Sequence, residues 1–153
     1  MNLALSIAYG SDFSGFKVPK PKKVLYLLAE GGFYPTRDRF KKMAKGKNQN
    51  LFVGFPNYLP INSEDGYHFL YNLVNEFNPD VLILDPLIKF HDLDENSASQ
   101  MSDVLGKIRT MMAELELSVI LVHHAGKVAS RGGRGSSVIV GDYDSCIEIC
   151  KSD

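Results

Sequence analysis

The sequence predicts an α/β fold, a mostly parallel sheet flanked by helices on both faces. Two observations carry this. Short, near-continuous apolar runs recur along the chain, as strands buried on both faces require, and amphipathic stretches long enough for helices lie between them. The length of 153 residues fits one domain spanning the whole chain, 1–153, and 44% hydrophobic residues supply a core.

In order, the first nine residues read as a helix by composition, and "YGSDFSGFKVPKPKK" ends it with glycines and prolines. "KVLYLLAE" follows as a buried strand ending in Glu30, with Gly31 and Gly32 as the turn. A charged helix is expected from about Thr36 to Lys45, closed by Gly46, and "NLFVGF" is a shorter strand. From Ser63 to Phe77, Tyr67, Leu70, Tyr71, Val74 and Phe77 recur at three and four residues, the stripe of an amphipathic helix. "VLILD" is the third strand, ending in Asp85, and the acidic loop 89–96, "KFHDLDEN", is expected to project from a strand end. Met101, Val104, Leu105, Ile108, Met111, Met112 and Leu115 then mark a helix over roughly 97–115, its methionines serving as core filler. "SVILVHH" is the fourth strand, and "SVIVGD" and "SCIEIC" read as two more.

With 17 basic against 18 acidic residues, the net charge of -1 gives no global attraction to nucleic acid, so any such binding must be local. Cys146 and Cys150, four apart in a strand-like segment, are too far apart for a comfortable disulfide and read as reduced packing residues. "MNLALSIAYG" has no basic leader and no apolar run approaches a bilayer span, so a cytoplasmic, soluble protein without membrane association is expected.

In an open parallel sheet, ligands bind beyond the carboxyl ends of the strands. Glu30, Asp85 and the pair His123 and His124 occupy such ends. Four apolar residues followed by Asp85 have the form of a Walker B strand, whose acid holds the magnesium of a bound nucleotide. Glu30 is placed to polarise a water, and His124 or His123 to sense a γ-phosphate or to ligate a metal. Zinc fits poorly, because no third ligand follows at helical spacing and neighbouring strand residues face opposite ways. Lys127, Arg131 and Arg134 lie among glycines in a loop able to meet phosphate, of DNA or of a nucleotide on a neighbouring subunit.

"VLYLLAEGG", "NPDVLILDPLIKF", "VILVHHAGK" and "RGSSVIVGDYDSCIEI", in this order, resemble the RecA-fold ATPases of the hexameric replicative helicase type, particularly the RepA-like helicases. The resemblance implies a RecA-like core, ATP with Mg2+ as ligands, ring or filament assembly and a role on single-stranded DNA; a homo-oligomer, or assembly with an intact ATPase subunit, is expected. By position, Glu30 matches the catalytic glutamate and Asp85 the Walker B aspartate that holds metal and nucleotide. His124, with His123 as the alternative, matches the nucleotide-relaying histidine. Arg134 matches the arginine finger that reaches a neighbour's ATP, with Arg131 as competitor.

One departure is large. The G-x-x-x-x-G-K-[ST] loop that cradles phosphates occurs nowhere in the sequence, and Met1 aligns inside the helix that this loop normally begins. The expected consequences are weak or absent ATP hydrolysis by the chain alone, and a sheet with a gap or an exposed edge that a partner fills. A non-enzymatic paralogue that oligomerises or lends an arginine finger, and a DNA-binding module built on the glycine-rich loop, are the competing expectations.

Overall fold

The computed structural model describes residues 1–44, 46–124 and 137–149. Helix α1 (Asn2–Tyr9) leads through a loop to β1 (Val24–Leu28). Helix α2 (Phe33–Met43), β2 (Leu51–Gly54), α3 (Glu64–Phe77) and β3 (Val81–Asp85) follow. Beyond a 3-10 turn at Leu87–Lys89 come α4 (Ala98–Leu115), β4 (Ser118–Leu121) and a short α5 (Ser137–Asp142).

The four strands form one parallel sheet in the order β2-β1-β3-β4. Of the gap or exposed edge expected, no gap occurs among the described residues: β1 and β3 pair along their full lengths, Val24 opposite Val81 through Leu28 opposite Asp85. Among the described residues β2 and β4 are the edges.

Alternation along the strands divides the core in two. Leu25, Leu27, Leu82 and Leu84 face α3 and α4, meeting Leu70, Val74, Met101, Val104, Leu105, Ile108 and Met111. Val24, Tyr26, Val81 and Ile83 face the other way, onto Ala4 and Ala8 of α1, with Phe40 of α2 beside them. Each large side chain so buried contributes about 1.5–3 kcal/mol, which is why the apolar stripes hold their helices.

Local chemistry sets the boundaries. The Ser63 hydroxyl accepts the Gly66 N–H at 3.1 Å and caps α3, whose first turn carries Glu64 and Asp65 where the helix dipole favours them. Gly10 ends α1 in the left-handed conformation, φ 67°.

Three expectations from the sequence are corrected. "SVIVGD" forms α5 rather than a strand: Ile139 packs on the α3 and α4 side of the core, and Arg109 of α4 pairs with Asp142. Residues 145–149 form no strand, and Ile147 and Ile149 are exposed. Cys146 is an exposed free thiol rather than a packing residue, and Cys150 lies outside the described residues.

The segment 89–96 also differs from the projecting loop expected. Phe90 is fully buried, its carbonyl accepts the Ile61 N–H at 2.8 Å, and His91 is buried beside it. No helix among the described residues is long and apolar enough to cross a membrane.

Candidate functional site

The chain reverses its direction of travel across the sheet between β1 and β3. From β1 it crosses through α2 to β2 on one side, then returns through α3 past β1 to β3 on the other. Strand connections diverging from one point leave a crevice beyond the carboxyl ends there. Asp85 ends β3 and Glu30 lies two residues beyond β1, and the Ala29 N–H donates to the Asp85 carbonyl at 2.8 Å. The topology thus brings together two acids that are 55 positions apart in the sequence.

Asp85 is half-buried and continues the row of Val81 and Ile83 toward α1. The hydroxyl of Tyr26, from the same row of β1, donates to Asp85 Oδ2. Burial first, and then this bond and the charge of Asp85, push the Tyr26 hydroxyl well above its ordinary pKa, so it stays a donor. The amino end of α1 reaches the same acid. Burial lowers the pKa of the Met1 ammonium, and the nearby Asp85 charge partly offsets this. The Asp85–Pro86 peptide is cis.

Glu30 is exposed and sits in the turn formed by Gly31 and Gly32, both at positive φ, 88° and 67°, a conformation that favours glycine. Two groups face its carboxylate: Lys89 Nζ at 4.0 Å from Oε1, and His124 Nε2 at 3.7 Å from Oε2. His123 takes a different partner, with Nδ1 3.5 Å from Glu95 Oε1. The end of β4 is tied to β3 by the Val122 N–H donating to the Leu84 carbonyl at 3.0 Å. The Leu87 N–H in turn donates to the Val122 carbonyl at 2.8 Å.

Of the residues expected from the sequence, Glu30, Asp85 and His124 therefore gather at one rim, and His123 turns to a second carboxylate. Lys127, Arg131 and Arg134 lie outside the described residues. No group of three metal-ligating side chains occurs among the described residues.

Sequence reasoning missed Tyr26, Lys89, His91 and Glu95. Tyr26 was legible as the one polar tip inside the "VLYLL" run, since a buried phenol hydroxyl needs a partner. The other three belong to the segment read as projecting. A groove bordered by Tyr67, Ser102, Asp103 and Lys107 lies between α3 and α4, and none of Glu30, Asp85, His123 and His124 lines it.

What the rim offers chemically is a hard carboxylate beside the positive end of a helix, and a second, exposed carboxylate flanked by a lysine and a histidine. A carboxylate oxygen suits Mg2+, and a helix amino end suits an anion. A family model described as an AAA domain matches residues 1–130, a span that includes Glu30, Asp85, His123 and His124 and stops before Arg131 and Arg134.

Proposed function

The chain belongs to the AAA-domain family, and from that premise we propose that it is a RecA-like ATPase core related to RepA-type replicative DNA helicases. Its own ATP hydrolysis is weak or absent. The observation that carries this reading is the hydrogen bond from the Ala29 N–H to the Asp85 carbonyl, which sets the ends of β1 and β3, and with them Glu30 and Asp85, at one rim.

The residues present fit the magnesium part of such a site better than the phosphate part. Asp85 would hold Mg2+, directly or through water, oriented by Tyr26. The ion, when bound with ATP, neutralises phosphate charge. Glu30 orients a water, and His124, set against Glu30, registers whether that carboxylate is engaged. The phosphate-cradling loop and its lysine have no counterpart in the sequence, which removes the main clamp on the transferring phosphate.

Titration with a fluorescent ATP analogue and Mg2+ tests this. Saturable, Mg2+-dependent binding that is lost in Asp85→Asn supports it, and no binding at millimolar analogue removes it. Arg134, or Arg131, completing a neighbour's site, and contact with single-stranded DNA, belong to the same proposal.

A second reading, a non-enzymatic subunit that assembles with itself or with an intact ATPase, draws on the edge position of β4. Among the described residues β4 pairs on one side alone. This reading expects an oligomer in solution and stimulation of a partner's turnover that disappears in Arg134→Ala. A monodisperse monomer without such stimulation removes it.

A further inference from the structure

His123 and His124 are adjacent in sequence yet serve different carboxylates, as alternation along extended backbone permits. His124 and Glu30 meet at the surface, with side chains 62% and 44% exposed. His123 and Glu95 meet where the side chains are only 19% and 11% exposed. The same Glu95 Oε1 faces a second imidazole, the fully buried His91, whose Nε2 lies 4.0 Å away.

Each carboxylate is therefore bracketed by one group from the segment after β3, Lys89 or His91, and one histidine from the end of β4. The Glu95 bracket is the buried one. His91 Nε2 and Glu95 Oε1 are both shut off from solvent without a hydrogen bond, an arrangement that costs free energy and persists only where the surroundings hold it.

The tautomer of His91 decides what it offers. The Leu93 N–H donates to His91 Nδ1 at 3.2 Å, so the neutral ring carries its proton on Nε2 and presents Glu95 with a donor. A metal would need a lone pair on that nitrogen, which speaks against a metal triad here. Burial lowers the His91 pKa and keeps the ring neutral. Glu95 and Asp92 pull the other way, and His123 adds to the lowering.

We propose that Glu95 is a positioning residue: held between buried His91 and His123, it clamps the end of β4 to the segment after β3, so that His124 is presented to Glu30. Its functional meaning rests on reading Glu30 as the water-orienting carboxylate. The clamp itself does not.

Long-range 15N–1H NMR of the histidine side chains in the full chain, at pH 8 and without nucleotide, tests the proposal. The expected tautomers are Nε2–H for His91 and Nδ1–H for His123. The variant Glu95→Gln keeps the volume and removes the charge. Exchange of the Val122 amide, bonded to the Leu84 carbonyl, then rises at least tenfold relative to the Val81 amide at the other end of the strands.

The opposite tautomer at either histidine in the native chain overturns the proposal, as does unchanged Val122 exchange in a folded Glu95→Gln. If that variant does not fold, the native tautomers decide alone. No nucleotide enters these measurements, so a failed ATP titration removes the proposed function and leaves the clamp standing.

Discussion

The hydroxyl of Tyr26 on β1 donates to Asp85 Oδ2 on the neighbouring β3, joining the floor of the sheet to the acid at its rim. The phenol ring is buried on the α1 and α2 face, edge-on to Phe40 at 5.8 Å, so the hydroxyl has little freedom to look elsewhere. Tyr26→Phe keeps the ring and deletes the donor. Because Asp85 is half-buried, water can partly replace the lost bond, and the expected loss is about 1 kcal/mol. Chemical denaturation reads this as a lower midpoint at unchanged slope, and an unchanged midpoint contradicts it.

The pH dependence of stability follows from His91. Its folded pKa lies below the unfolded value, so between the two the unfolded chain binds more protons. Its contribution is fully present above about pH 6.5, the ordinary histidine value, and is lost as pH falls through the folded value. Asp80, held below its ordinary value first by the Lys22 hydrogen bond and then by the Lys23 N–H, acts in a separate, more acidic window. Thermal unfolding at pH 7.5, 6.5 and 5.5 is expected to show a falling midpoint in the native chain and a flatter profile in His91→Phe.

Phe90 distinguishes a packed segment from a projecting one. A phenylalanine in a solvated loop is worth within about 0.5 kcal/mol on truncation, whereas a buried one costs about 3–5 kcal/mol. Phe90 is fully buried, so Phe90→Ala is expected at the upper figure by equilibrium denaturation.

Two glycines make opposite kinds of demand. A Cβ on Gly66 would stand 2.1 Å from the Pro60 carbonyl oxygen, so Gly66→Ala must move backbone, at a cost of about 3 kcal/mol. A Cβ on Gly31 meets only Thr36 Oγ1, at 3.5 Å, but the residue sits at φ 88°. Gly31→Ala is expected to cost about 1 kcal/mol from conformation alone, and it also moves Glu30, the preceding residue. Comparing denaturation midpoints of the two variants should rank them in that order.

The sequence by itself determined the four strands, the helices between them and the acids at the ends of β1 and β3, because each follows from local periodicity. A strand inside a parallel sheet must be apolar throughout, and "VLYLL" and "VLILD" satisfy that whatever lies beside them. The same reasoning misread "SVIVGD", where a short apolar run is compatible with helix or strand and the decision comes from packing against α4. It misread 145–149 as well, because alternation specifies a strand only when a neighbour is available to pair with it.

Tertiary structure alone decided which acids meet and which histidine faces which carboxylate. Strand order is a global property: placing β1 beside β3 sets Glu30 near Asp85, and no local pattern encodes that adjacency. Phe90, His91 and Glu95 turn inward from the acidic segment, while Asp92 and Asp94 stay exposed, and this builds the buried bracket around Glu95. The physical reason is the burial of Phe90 and His91, whose cost and gain depend on neighbours that lie far away along the chain.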